Sequence, residues 1–351
     1  MKEVVQMELA LAVETSCDDT SVAIVGKDGV VHSLVSATKD LDHEPYGGIV
    51  PEIASRNHSK HLLPLIDKSL SQAQMQWADI DGLAVTNRPG LMGSLIVGLV
   101  TVKSLSQALG KPFIGVNHLE GHLLAAFLKD KNTADGFTPP QFPFVALAIS
   151  GGHTTIYLVE DFFRYKVLGS TKDDAAGEAF DKFAKMAGLG FPGGVRVDQM
   201  AQKGDPKAHD FPRSMILEPH LDMSFSGLKS SAQRLLSPMT AEQISAQLSD
   251  LCASYQEAIV DVLLHKLLKA CQQSKIKNVV ITGGVSANSR LRAKASAMAQ
   301  QHQLTLSIPP LAYCTDNAAM IGYAGILRMN NGEHSDLSVG PAPRSYQNDF
   351  L

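Results

Sequence analysis

LALAVETSCDDTSVAIVGKDGVVHSLV, residues 9–35, contains the strand and turn pattern from which the fold is predicted. Two apolar runs, Leu9–Val13 and Ser21–Val25, flank a polar turn in it. Lys27-Asp28-Gly29 then turns the chain into a third apolar run, Val30–Val35. Short apolar runs that are separated by turn residues predict three consecutive β-strands.

The same pattern returns in the second half of the chain. Phe144–Ile149 is apolar and is followed by a small polar turn, and Thr155–Val159 and Tyr165–Leu168 are further strand candidates. Helical patterns follow each copy, which favours a duplicated α/β fold. Because strand–turn–strand is a common arrangement, coincidence is the alternative. The matched glycine or hydroxyl turns of the two copies favour duplication.

The length of 351 residues suits two lobes better than one core of ordinary size. Asp130–Pro143 is polar and contains prolines, so we predict the lobe boundary there. The N-terminal lobe would then comprise residues 1–140 and the C-terminal lobe residues 141–312. We expect the C-terminal segment, from about residue 313 to residue 351, to pack back on the N-terminal lobe.

Composition and charge exclude several classes of protein. Lysine and arginine number 31 against 35 acidic residues, so the net charge of −4 gives no overall attraction to nucleic acid. The apolar run near the N-terminus is too short for a signal peptide. No run in the sequence reaches the ~18 apolar residues of a membrane span. The cysteines form no Cys-x-x-Cys pair, which fits a reducing cytosol and a cytoplasmic protein. They are Cys17, Cys252, Cys271 and Cys314.

Three turns of small residues follow predicted strands, at Ser16–Ser21, Ser150–Thr155 and Gly283–Asn288. The first two expose backbone N–H groups that can cradle phosphate. At the third, Gly283 and Gly284 would let the backbone approach a flat base or sugar closely, and Asn288 is able to hydrogen-bond its edge. Each one alone is weak evidence, but together they resemble the two-lobed nucleotide-binding fold of actin, sugar kinases and heat-shock ATPases. A fourth glycine loop ends at Gly194, between Asp181 and Asp198. Carboxylates beside such a loop are suited to accepting hydrogen bonds from ribose hydroxyls. For Asp181, a position on a solvated helix face is the alternative.

His118 and His122 lie four residues apart, so a helix would project both imidazoles from one face. Asp316, at a predicted helix N-terminus, is a candidate third ligand, and capping of that helix is the alternative. Two histidines and a carboxylate suit Fe(II), Zn(II) or Mn(II). A zinc peptidase would need glutamate directly after the first histidine, whereas Leu119 stands there and Glu120 lies about 200° around the helix.

Nine ordered motifs, spread over roughly residues 9–325, resemble those of the TsaD family of tRNA threonylcarbamoyladenosine transferases, in its bacterial form. The motifs are ETSCDDT from Glu14, YGGIVPEIASRNH from Tyr46, NHLEGH from Asn117, ISGGHT from Ile149, DDAAGEAFDK from Asp173, FPGG from Phe191, SFSGLK from Ser224, GGVSAN from Gly283 and CTDNAAM from Cys314.

The resemblance implies transfer of a threonylcarbamoyl group from threonylcarbamoyl-AMP to N6 of adenosine 37, in tRNAs that read codons beginning with A. It implies that His118, His122 and Asp316 bind one divalent metal, with Fe(II) favoured and Zn(II) possible. Asp18 or Asp19 is our candidate for accepting the amine proton. The expected adenylate-binding residues are Ala148, Ile149, Ser150, Gly151, Gly152, Asp181, Gly194, Asp198 and Asn288.

The resemblance also implies partners: tRNA, the TsaB paralogue, the TsaE ATPase and a TsaC-type enzyme that makes the adenylate, with no membrane involved. Three other functions are alternatives: a metallopeptidase, a non-catalytic scaffold of the same fold, and a small-molecule kinase. The retained histidines and Asp316 argue against the scaffold. The chain departs from the family pattern at Arg88, where glycine is usual, and at Val195, where proline is usual.

Overall fold

A computed structural model describes residues 6–37, 43–46, 48–131 and 137–344. The chain divides into two units, one of residues 1–139 with 316–351 and one of residues 140–315. Within the predicted boundary segment, residues 132–136 lie outside the described residues, as do residues 345–351 of the predicted C-terminal segment.

The described residues form eleven strands and nine α-helices. The strands are β1 (Leu9–Glu14), β2 (Thr20–Gly26), β3 (Val30–Ala37), β4 (Gly82–Arg88), β5 (Phe113–Asn117), β6 (Lys129–Asp130), β7 (Phe144–Ile149), β8 (Thr154–Asp161), β9 (Arg164–Ser170), β10 (Asn278–Thr282) and β11 (Thr305–Ser307). The helices are α1 (Pro51–Ala73), α2 (Met92–Leu109), α3 (His118–Leu124), α4 (Ala176–Met186), α5 (Gly193–Ala201), α6 (Ser226–Leu236), α7 (Ala241–Ser274), α8 (Ser289–His302) and α9 (Ala318–Asn330).

The first unit is built on a sheet with the strand order β5-β4-β1-β2-β3-β6. The first three strands along the chain pair antiparallel, as the turns between them predict. β4 then pairs parallel with the other side of β1, and β5 pairs parallel with β4. Three carboxyl ends, those of β1, β4 and β5, therefore meet at one edge of this sheet, which is where ligands bind in open α/β sheets.

Helices cover both faces of this first sheet. Leu11 and Val13 of β1 point to one face and share a buried cluster with Leu62 of α1 and Leu99 of α2. Alternate residues of the same strand point to the other face, where α9 packs against β1, β2 and β4. Side chains of this kind contribute about 1.5–3 kcal/mol each when fully buried, so the two-sided packing fixes the strand register.

The second unit repeats the topology of the first. Its sheet has the order β11-β10-β7-β8-β9. β7, β8 and β9 pair antiparallel in sequence, and β10 pairs parallel with both β7 and β11. This order and these directions match β5-β4-β1-β2-β3 strand for strand, so the predicted duplicated α/β fold is confirmed.

The core of the second unit lies between its sheet and the helices that follow. Phe183 of α4 stacks on Tyr255 of α7, with ring centroids 4.1 Å apart. The Tyr255 hydroxyl donates a hydrogen bond to the backbone oxygen of Ala179 at 3.1 Å, which satisfies its polar atom inside the core. This packing holds α4 beside the sheet end from which the predicted substrate loops project.

Four elements were not predicted: the short strands β6 and β11, and the helices α5 and α6. The fourth glycine loop ends earlier than predicted: residues 188–195 are rich in glycine and predict a loop, whereas α5 begins at Gly193. Glycines weaken a helical pattern in sequence, but here Asp181 accepts hydrogen bonds from the N–H groups of Gly193 and Gly194. These two hydrogen bonds to Asp181 stabilise the start of the helix.

The helix α2 is long and apolar enough to cross a membrane by length and composition alone. It is the one such helix among the described residues, and a single helix of this kind is weak evidence for a membrane span. Leu95, Leu99 and Val102 bury one side of α2 within the first unit. The opposite side of α2 is apolar and exposed at Met92, Ile96 and Val100.

Candidate metal centre and substrate loops

The two histidines predicted as metal ligands lie in α3, directly after β5. Asn117 caps this helix, because its side-chain oxygen accepts a hydrogen bond from the N–H of Leu119 at 2.9 Å. All residues of α3 are buried, and the rings of His118 and His122 lie edge to face with centroids 4.7 Å apart. Both imidazoles therefore project from one side of the helix, as their spacing predicts.

Asp316 contacts both histidines although 194 residues separate it from His122. Its Oδ1 lies 3.1 Å from Nε2 of His122 and 3.3 Å from Nε2 of His118. The cap of α9 is Asn317, whose side chain accepts from the N–H of Met320 at 3.0 Å. The alternative in which Asp316 caps this helix is therefore wrong.

These three side chains fit a divalent metal ion. One ligand atom from each lies within 4.8 Å of the other two. A tetrahedral ion with bonds of about 2.1 Å separates its ligands by about 3.4 Å. The separations of 3.1 and 3.3 Å between Asp316 and the histidines are close to that value. Three protein ligands of this type also leave coordination positions for water or substrate.

Glu14 orients His118 from the opposite side of its ring. This carboxylate is 1% exposed, and its Oε2 lies 3.1 Å from Nδ1 of His118. It also accepts hydrogen bonds from the N–H of Ser16 at 2.5 Å and from the hydroxyl of Thr86. A proton held on Nδ1 leaves the lone pair on Nε2, the nitrogen that faces Asp316. This role of Glu14 was not predicted from the sequence, although an acid at the end of a buried strand is a usable signal.

Burial and mutual attraction set the charges of this cluster. Burial lowers the pKa of His118, but Asp316 and Glu14 outweigh burial and hold that pKa well above its ordinary value. Burial raises the pKa of Asp316, but His118 outweighs it, so this pKa lies well below its usual range. Burial keeps the pKa of His122 below its ordinary value. A cation that binds here consequently displaces a proton from His118.

The turn between β1 and β2 lies beside this cluster. The hydroxyl of Ser16 is 3.2 Å from Nδ1 of His118, and Asp18 and Asp19 follow in the same turn, each half-buried. A role for these two aspartates as proton acceptor stays a prediction. Burial, reinforced by Asp18, raises the pKa of Cys17 well above its ordinary value, so its thiol is a poor nucleophile.

In the second unit, the structure places the end of β7 against the glycine loop that follows β10. Gly283 has a φ of +88°, and a Cβ there would lie 2.4 Å from the backbone oxygen of Ile149. Only glycine fits such a position. The adjoining turn is closed by a hydrogen bond from Ser150 N to His153 O at 2.8 Å. Gly151 and Gly152 are exposed there, with open space beside each.

The predicted ribose and base ligands also shape these loops. Asp181 accepts from the N–H groups of Gly193 and Gly194 at 2.8 and 3.3 Å. Asp198 accepts from both the N–H and the hydroxyl of Ser289, at 3.0 and 2.7 Å. Asn288 caps α8 and donates to Gln256 Oε1 at 2.6 Å. Each residue has a structural role, and substrate binding by Ala148, Ile149 and the other predicted residues stays a prediction.

The two departures from the family pattern lie outside the metal cluster. Arg88 ends β4, pairs in register with Asn117, and contacts Asn87 Oδ1 through its guanidinium at 3.3 Å. Val195 lies in the first turn of α5 and is 58% exposed. Neither side chain replaces a candidate ligand.

Solved structures with this fold define the class of protein. HypF from T. kodakarensis matches with a TM-score of 0.58 at 12% identity, over 93% of this chain and 48% of that one. Component A of the (R)-2-hydroxyglutaryl-CoA dehydratase of Acidaminococcus fermentans matches with a TM-score of 0.52 at 15% identity, over 92% and 98%. At such identities the likeness concerns the fold alone, and it is the duplicated fold of actin and the related ATPases.

Sequence relatives narrow the class to one family. The sequence profile of TsaD, tRNA N6-adenosine threonylcarbamoyltransferase, matches residues 30–323. The tRNA N6-adenosine threonylcarbamoyltransferase of Bdellovibrio bacteriovorus is 63% identical over 347 residues, which cover 98% of this chain and 99% of the relative. That of Anaeromyxobacter dehalogenans strain 2CP-C is 47% identical over 343 residues, covering 96% and 100%. The chain belongs to the TsaD family and is an enzyme of the transferase class.

Proposed function

We propose that this chain transfers the threonylcarbamoyl group from threonylcarbamoyl-AMP to N6 of adenosine 37, in tRNAs that read codons beginning with A. A divalent metal, with Fe(II) favoured over Zn(II), would be held by His118, His122 and Asp316. The observation that carries the proposal is the convergence of these three ligand atoms in a chain of this family. A metallopeptidase is not favoured, because Glu120 contacts Arg328 and not the cluster.

The reaction forms one C–N bond and breaks one C–O bond. The exocyclic amine of adenine attacks the carbamoyl carbonyl carbon, AMP leaves with the bridging oxygen, and the amine loses one proton. An exocyclic adenine amine is a poor nucleophile, so the carbonyl has to be polarised and the departing negative charge stabilised. When bound, the metal supplies a Lewis acid for carbonyl or phosphate oxygens.

The residues of the first unit prepare this chemistry. Glu14 holds the His118 ring so that Nε2 faces Asp316. The carboxylate of Asp18 or Asp19 accepts the proton that the amine loses. Because Cys17 is held as a thiol, no covalent intermediate on it is included in the proposal.

The residues of the second unit bind the adenylate. The backbone N–H groups of Gly151 and Gly152 donate to phosphate oxygens, as exposed turns of this kind do. Asp181 and Asp198 accept from ribose hydroxyls, and Asn288 hydrogen-bonds the base edge. Asp198 and Asn288 already hold Ser289 and Gln256, so the loop is organised before the ligand arrives. Ala148, Ile149, Ser150 and Gly194 complete the binding surface.

An exposed apolar stripe on α2 supports docking of the TsaB paralogue. Met92, Ile96 and Val100 recur every four residues and are 46%, 43% and 54% exposed. Leu63 on the adjoining helix α1 is 58% exposed. Contiguous apolar side chains on a water-facing helix mark interaction surfaces. We propose that TsaB covers this stripe, and that TsaE and a TsaC-type enzyme act as functional partners in the cytoplasm.

The test is reconstitution of the modification. Unmodified tRNA would be incubated with the chain, TsaB, TsaE, the TsaC-type enzyme, threonine, bicarbonate and ATP, and its nucleosides analysed by mass spectrometry. We expect threonylcarbamoyladenosine with the intact chain and none with Asp316→Ala. The matched control is Asp336→Ala, a surface aspartate of the same unit. No product from the intact chain, with partners that work alongside another TsaD, would support the scaffold function instead.

A further inference from the structure

Glu120 stands between the two histidines, yet its side chain contacts a different element. This carboxylate is 1% exposed, and its Oε2 lies 2.8 Å from Nε of Arg328 in α9. Arg328 is 15% exposed and also contacts Glu333 Oε2 at 2.5 Å. The ion pair thus links the histidine helix α3 to the last helix of the first unit.

A second contact joins the same two helices. A Cβ at Gly121 would lie 2.9 Å from Ile321 Cδ1 and 3.0 Å from Met320 Cγ. A larger residue there would push the Ile321 and Met320 side chains aside, so α3 and α9 approach closely at this glycine. Ile321 lies in the first turns of α9, whereas Arg328 lies in its last turn. The two helices are therefore joined at two places along α9, and two separated contacts prevent a rotation that one contact would permit.

The same two elements carry the three candidate ligands. His118 and His122 belong to α3, and Asp316 directly precedes the cap residue of α9. A change in how α3 lies on α9 alters the distances between the histidine nitrogens and the Asp316 carboxylate. About 15 Å of helix separates Ala318 from Arg328. A contact at that distance from Asp316 limits rotation of α9 more strongly than a contact close to Asp316 would.

The chemistry of the pair makes this contact specific. A buried carboxylate without a partner is strongly unfavourable, whereas an apolar pair of similar volume can stabilise a fold equally well. Apolar side chains, however, can slide past one another and stay in contact. Hydrogen bonds between a guanidinium and a carboxylate depend on direction, so they resist such sliding. Glu120 and Arg328 consequently favour one arrangement of α3 on α9.

We propose that the Glu120–Arg328 ion pair positions His118 and His122 against Asp316, and so sets the affinity and geometry of the metal centre. The inference rests on the metal site proposed above. Glu120 and Arg328 are positioning residues, because neither contacts the ligand atoms.

The experiment measures binding of Co(II), which reports its coordination through visible absorption bands. The key variant is the double substitution Glu120→Leu with Arg328→Met, which replaces the pair by apolar side chains. Arg328→Lys retains the charge and loses the planar fork. The control is Arg213→Met, which removes an arginine–aspartate pair from the second unit, where Arg213 contacts Asp261 at 3.0 Å.

We expect the double variant to remain folded, to bind Co(II) about tenfold more weakly than the unaltered chain, and to show altered absorption bands. The Co(II) affinity of Arg328→Lys should lie between those of the unaltered chain and the double variant. Arg213→Met should lower the melting temperature and leave Co(II) affinity and spectrum unchanged. A double variant with the affinity and spectrum of the unaltered chain would overturn the positioning role alone. Absence of Co(II) binding by the unaltered chain would overturn the metal site, and this inference with it.

Discussion

Replacing Glu14 with glutamine tests how the metal centre is organised. The Glu14 carboxylate accepts hydrogen bonds from Ser16 N and the Thr86 hydroxyl, and it faces Nδ1 of His118 at 3.1 Å. A glutamine has one acceptor oxygen and one NH₂ group in the same space. If NH₂ faces His118, the ring has to accept on Nδ1 and carry its proton on Nε2, which is then unable to bind metal. If the oxygen faces His118, Ser16 N loses its charged acceptor.

The expected size of the effect follows from these contacts. Loss of the outer partner of a metal-bound histidine weakens metal binding by about 10- to 100-fold, which is about 1.4–2.7 kcal/mol. A buried donor left without an acceptor costs a further ~1–3 kcal/mol of folding free energy. We therefore expect Glu14→Gln to lose both metal affinity and thermal stability.

Competition titration with a chromophoric chelator measures the affinity, and calorimetry measures the stability. The matched control is Glu8→Gln, which alters a 62% exposed glutamate paired with Lys27. Exposed pairs of this kind contribute ~0–1 kcal/mol, so the control should leave metal affinity unchanged. If Glu14→Gln binds metal as tightly as the unaltered chain does, the reasoning about the His118 tautomer is refuted.

Three further predictions follow from the structure. His118→Ala should remove bound metal and abolish transfer while the fold is kept. Metal analysis, mass spectrometry of tRNA nucleosides and circular dichroism measure these three properties. Full metal content in the variant would contradict the ligand assignment. Ile96→Asp should abolish co-purification with TsaB and leave metal content unchanged. The control Leu217→Asp, at an exposed leucine of the second unit (86%), should not affect co-purification; retained TsaB binding by Ile96→Asp would contradict the docking surface.

Asp173→Asn should destabilise the second unit by ~1 kcal/mol at pH 7, because Asp173 accepts from the N–H groups that begin α6, at 2.8 and 3.1 Å. Burial raises the pKa of Asp173, but hydrogen bonds from Ser224 and Ser226 outweigh it and lower that pKa. A depressed carboxyl pKa stabilises the fold above the unfolded value near 3.9, and this contribution is lost as pH falls through the folded value. Denaturation at pH 7 and below pH 4 checks this, and a pH-independent difference would contradict it.

Local sequence patterns predicted most of the regular structure. The apolar run at residues 278–282, just before the third small-residue turn, predicts a strand and matches β10. The strands predicted within residues 9–35 and 144–168 lie within one or two residues of those observed. Alternation of side chains and the turn residues between runs are properties of neighbouring residues, so sequence reveals them directly. The short elements β6, β11 and α5 were missed because too few residues carry their pattern, and the helix α6 was missed as well.

The metal centre was predictable in part. The spacing of His118 and His122 predicted a shared helix face, and helical geometry predicted that Glu120 points elsewhere. The proximity of Asp316 rested on resemblance, since 194 residues separate it from His122. Glu14 was not recognised as a partner of His118, because its position depends on the parallel order β4-β1 and on the turn into α3.

Patterns along the chain were enough to predict the duplicated α/β fold, the family, and which residue types are able to bind metal. Which side chains meet depends on the packing of the elements: Asp316 with the histidines, Glu14 with His118, Glu120 with Arg328, and Asp198 with Ser289. The physical reason is that strand and helix patterns are set by neighbouring residues. Contacts between distant residues depend instead on how sheets and helices pack, and on which buried charges find partners there.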